Sequence, residues 1–82
     1  MDSYREAFDC VMSELPSAHP ADSGYETDSM FILPPEEPEE EGSPFYFVSK
    51  KDSSVLSLGS GAWRKIDQLM ADPSRRPASI GT

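Results

Sequence analysis

Proline and glycine punctuate one stretch of the chain so densely that no long element fits there. Pro16, Pro20, Gly24, Pro34, Pro35, Pro38, Gly42 and Pro44 interrupt every candidate element between residues 16 and 44. Proline removes a backbone N–H and its ring clashes with a preceding helical turn. The stretch therefore reads as loop. Phe31-Ile32-Leu33 stands in it as a short apolar island. Glu36 to Glu41 is an acidic run broken by Pro38, which self-repulsion and proline hold extended.

Regular structure is expected on either side. Tyr4, Phe8, Val11, Met12 and Leu15 recur with helical period. Ser3 and Glu6 have capping-box spacing, and Pro16 restricts Leu15 and stops the helix. Further on, Phe45-Tyr46-Phe47-Val48 and Val55-Leu56-Ser57-Leu58 read as two short strands, with Lys50-Lys51-Asp52-Ser53 as the loop between them. Trp63, Ile66, Leu69 and Met70 mark a second helix over 62–71, ended by Asp72-Pro73. Its charges run against the helix dipole, with Arg64 and Lys65 early and Asp67 late.

Whether these pieces assemble is a question of core size. Leu, Ile, Val and Phe together number 15 of 82 residues, and the formal net charge is -8. Ordering each residue costs roughly 1–2 kcal/mol. Burial returns about 25 cal/mol per Å², and few large side chains are present to bury. The single Cys10 excludes an intramolecular disulfide, and one Cys with one His cannot build a four-ligand zinc site. The expected fold class is therefore mostly intrinsically disordered, with short amphipathic helices near 4–15 and 62–71 and a weak hairpin over 45–58. Three regions follow: an acidic disordered region over 1–44, a small strand-strand-helix element over 45–71, and a flexible tail over 72–82.

Charge narrows the function. Residues 1–42 hold twelve acids against Arg5, a net of -11, and residues 43–82 hold three acids against six bases, a net of +3. The acidic half repels nucleic-acid phosphates, and the basic excess is too scattered for a binding patch. No apolar run approaches the ~20 residues of a membrane span, and no signal segment opens the chain. A monomeric cytoplasmic or nuclear protein without cofactors is expected. His19 has no ligand or catalytic partner at useful spacing, and Cys10 on the helix behaves as a small hydrophobe. The chain is read as no enzyme.

One motif stands out. Asp22-Ser23-Gly24-Tyr25-Glu26-Thr27 resembles the phosphodegrons of the inhibitor of NF-kappaB and of beta-catenin. These are read by the beta-transducin-repeat F-box receptor of a cullin ubiquitin ligase. The resemblance implies phosphorylation at Ser23 and at Thr27, where serine is usual, or at Ser29 with a longer spacer. Each phosphate adds about -1.5 to -2 charge suited to an arginine cluster. Gly24 permits close approach of a receptor, Tyr25 supplies an anchor, and Glu26 suits an acid-directed kinase. The plain alternative is a solvated acidic loop. Ser43-Pro44 suits a proline-directed kinase, and Arg76 three residues before Ser79 suits a basophilic one.

Phe8, Met12 and Leu15 have the anchor spacing of helix-in-groove recognition, and with Tyr4 and Val11 they form one docking stripe. Acidic flanks make this segment resemble acidic transcription activation domains, which implies a transcription coactivator as partner. Trp63, Ile66 and Met70 offer a second docking face or the core of the 45–71 element. The leading expectation is a non-enzymatic regulatory segment that docks a protein through its first helix and is turned over through the degron. The alternatives are an acidic activation domain and a small folded adaptor.

Overall fold

The computed structural model describes residues 3–36 and 44–80. It overturns the expectation of a mostly disordered chain. Helix α1 (Tyr4–Glu14) is followed by strands β1 (Ser23–Glu26), β2 (Met30–Leu33), β3 (Phe45–Ser49) and β4 (Val55–Leu58). A single 3-10 turn over Ser60–Ala62 leads into helix α2 (Trp63–Met70), and strand β5 (Arg76–Ser79) comes last. The five strands form one antiparallel sheet in the order β4-β3-β2-β1-β5. Two strands thus occupy the stretch read as loop, and one lies in the stretch read as tail. The hydrophobic island of β2 is the middle strand, paired on both sides.

Residue alternation across the ladders divides the sheet into two faces. Phe31 pairs with Val48, and Leu33 with Tyr46. These four are buried with Tyr4, Ala7 and Val11 of α1 and with Ala18. Ser3 caps α1 through its Oγ, which accepts the Glu6 N–H at 3.2 Å. The Tyr4 ring meets Phe31 edge-on, with centroids 6.4 Å apart. Its hydroxyl donates to the Ala21 carbonyl at 2.8 Å, tying α1 to the approach of β1. Burial, with the Asp22 charge nearby, pushes this phenol far above its ordinary pKa, so it remains a donor.

Tyr25, Ile32, Phe47 and Leu56 form the matching row on the second face, with Pro77 beyond Tyr25. Ile32 and Phe47 are buried there. Since all neighbours are antiparallel, β4 and β5 run in the same direction at opposite edges. The chain between them must return along the strands and cross the sheet, and α1 already occupies the first face. Helix α2 lies against β4, and its Ile66, Leu69 and Met70 are half-buried.

The reason the core suffices lies in what it is made of. Tyr4, Tyr46, Ala7, Ala18 and Thr27 are all buried. A count of Leu, Ile, Val and Phe includes none of them. Helix α1 gains its stability from this packing, since eleven residues are marginal alone in water.

Candidate functional site

The motif residues lie on β1 and the turn that follows. From the Tyr25–Ile32 pair to the Pro20–Pro35 bridge, the chain advances five residues on the β1 side and three on the β2 side. Two extra residues are therefore accommodated between Pro20 and Tyr25, a bulge. Asp22 and Ser23 lie within it, both exposed. They pair with β5 instead of β2: Ser23 stands opposite Ser79, and the Ile80 N–H donates to the Asp22 carbonyl at 2.9 Å. A cleft of ≈ 360 Å³ opens here, lined among others by Ser23, Tyr25, Pro34, Pro77 and Ser79.

Gly24 faces α1 with no room for a side chain. A Cβ built there collides with the Ile32 carbonyl oxygen, comes within 2.6 Å of Pro34 Cδ and within 3.0 Å of Tyr4 Oη. Tyr25 points to the second face, where the Arg75 guanidinium lies 5.0 Å from its ring centroid. Thr27 is 1% exposed. Its Oγ1 accepts the backbone N–H groups of Ser29 and Met30, each at 3.2 Å, and its own N–H donates to the Met30 carbonyl at 2.8 Å. Thr27 therefore builds the β1–β2 turn. Ser29 is exposed, and its carbonyl accepts the Lys50 N–H at 2.9 Å.

Ion pairs gather where β1, β5 and the β3–β4 loop meet. Lys50 Nζ lies 2.8 Å from Glu26 Oε2 and 4.8 Å from the centroid of the Phe31 ring. Arg76 reaches Glu26 at 3.4 Å and Asp28 at 3.3 Å. The Asp28 N–H donates to Ser74 Oγ, which in turn donates to Asp72 Oδ1 at 2.6 Å. The hydrogen bond and charge of Lys50, joined by the charge of Arg76, hold the Glu26 carboxyl below its usual pKa despite some desolvation. A depressed carboxylate pKa contributes stability that is present above the unfolded value of about 4.3 and disappears as pH falls through the folded value. Glu26→Gln is expected to lower stability by about 0.5–1 kcal/mol at neutral pH. The gap to wild type should close as pH drops below the unfolded carboxyl range. Urea melts from pH 7 to pH 3 check this, and a gap that persists at pH 3 refutes it.

The predicted docking residues separate. Tyr4 and Val11 are buried in the chain's own core, Phe8 is half-buried and packs against that core, and Met12 is half-buried. Only Leu15 of that stripe is exposed. Trp63 is 59% exposed, and Ile66 and Met70 are half-buried, so α2 has no fully buried residue. Leu56 of β4 is also exposed. Ser43 lies outside the described residues.

Cys10 Sγ donates to the Ser53 carbonyl at 3.2 Å, and burial with Glu14 nearby pushes the thiol up. His19 is exposed. Among the described residues no three His, Cys, Asp or Glu side chains gather as metal ligands, and no helix is long and apolar enough to cross a membrane. Sequence reading did not single out Lys50, Ser74 or Leu56 as site residues. Their roles arise from strand register, for which spacing gives no signal. No family model, curated protein or solved structure matches the chain.

Proposed function

We propose that the chain is a non-enzymatic interaction module, a small folded adaptor that docks a protein partner through the first turn of α2. The observation that carries this reading is Trp63, 59% exposed on a helix with no fully buried side chain. Tryptophan in such a position is the residue type that dominates binding energy when a partner covers it. Exposed Arg64 and Lys65 follow it, and the Arg64 guanidinium lies 5.8 Å from the indole centroid. The partner chemistry that fits is an apolar pocket with an acidic rim. Leu56 lies on β4, the strand next to α2.

Trp63 is the chain's one tryptophan, so its emission reports contact directly. A partner captured by the wild-type chain, once purified, should bind Trp63→Ala at least about tenfold more weakly. Its binding to wild type should weaken with salt and shift the Trp63 emission. The substitution should leave folding stability within about 0.5 kcal/mol, as for an exposed side chain. Equal binding by the variant, or collapse of its fold, removes the proposal.

Phosphorylation around Ser23 enters as control of this module. Ser23 and Ser29 have exposed side chains, with the exposed Asp22 beside Ser23. An F-box receptor reading the whole motif would need β1 opened, because the Thr27 hydroxyl is buried in the turn.

A further inference from the structure

We propose that Ser79 is a phosphorylation site and that β5 is a latch which its phosphate releases from β1. The first support is the sequence before it. Arg75 and Arg76 are both exposed, and Arg76 stands three residues ahead of Ser79. The second is the position of the strand. β5 is an edge strand held on one side only, and Pro77 in its middle has no N–H to give a ladder. An edge strand, bonded on one side only, opens at lower cost than a strand paired on both sides.

The third support is what the phosphate would meet. Ser79 stands directly opposite Ser23, and the next residue's N–H holds the Asp22 carbonyl. Asp22 is the acid at this end of the pair, while Glu26 and Asp28 lie at the other end. Arg76 is the β5 cation that answers two of these acids, at the far end of the strand. Ser79 is half-buried, and a phosphate there brings about -1.5 to -2 charge to the end of the pair that holds Asp22.

The chemical step is ordinary phosphoryl transfer. Ser79 Oγ attacks the γ-phosphorus of a nucleoside triphosphate held by a basic-residue-directed kinase. A new O–P bond forms, the bond to the β,γ-bridging oxygen breaks, and the nucleoside diphosphate leaves. The hydroxyl proton passes to the kinase's base. Release of β5 then lays open the outer edge of β1, with Ser23 on it. A second phosphate on Ser23 would sit opposite the first and oppose closure.

This inference is independent of the Trp63 surface, and neither falls with the other. The test is amide hydrogen exchange on the full chain carrying encoded phosphoserine at position 79. A second sample carries it at position 57, an exposed serine on the other edge strand. With phosphoserine 79, the Ile80 amide and those of β5 should exchange about tenfold faster or more, while β3 and α1 keep their protection. Phosphoserine 57 should leave β5 unchanged. Unaltered β5 exchange with phosphoserine 79, an equal effect from position 57, or loss of protection throughout the chain overturns the latch.

Discussion

Gly24→Ala is expected to destabilise the fold by about 3 kcal/mol, the upper end for forcing a methyl group into a packed site. The backbone there is not left-handed, so the demand for glycine comes from space alone. Of the three atoms the methyl group would meet, the Ile32 carbonyl oxygen is the least able to yield. It belongs to the middle strand of the sheet, whose backbone is fixed by pairing on both sides. Pro34 Cδ and Tyr4 Oη close the remaining sides. Urea denaturation followed by circular dichroism measures the loss. Pro34→Ala in the Gly24→Ala background relieves one collision, so the two changes together should cost less than their sum. A Gly24→Ala chain as stable as wild type would contradict the geometry. The same result bears on any study of turnover. Loss of regulation on changing Gly24 reports a damaged β1, whatever reads the motif.

Thr27→Val is expected to cost about 2 kcal/mol by leaving two backbone N–H groups of the β1–β2 turn without their acceptor. Valine keeps the shape, so packing contributes little, and the loss is assigned to Oγ1. Thr27→Ser retains the hydroxyl and should recover most of the stability, losing only what the missing methyl group contributes. Thermal melts of the three chains separate these outcomes. If valine and serine are equally stable, the turn does not depend on the hydroxyl. A phosphate on Thr27 would have to replace this turn, so its modification in the closed fold is sterically excluded.

Parts of the fold were legible because they rest on local rules. The Tyr4–Glu14 helix shows in its apolar period and in the Ser3–Glu6 spacing, and the β3–β4 pair shows in aromatic and β-branched runs. β1 and β2 were not legible, because each is four residues long and lies between prolines that end an element without revealing what precedes them. β5 is Arg-Pro-Ala-Ser, which has no strand preference of its own and is extended because β1 is beside it. Disorder was expected because the count of Leu, Ile, Val and Phe overlooked tyrosine and alanine, which fill the space between α1 and the sheet. The motif was visible as a pattern, but the work of its residues was not. Gly24 answers to a carbonyl on β2, Glu26 to Lys50, and Thr27 to its own turn.

The order of the strands also sets the order in which the chain can fold. β1 to β4 form a meander of neighbours, joined in turn by three, eleven and five residues. β5 instead pairs Arg76 with Glu26, 50 positions apart (76 minus 26). Closing so long a loop costs entropy that no local contact returns beforehand. The four-stranded meander with α1 on its face is therefore expected to form first, with the last strand zipping on after it. In unfolding the reverse order is expected, with β5 lost before any other strand.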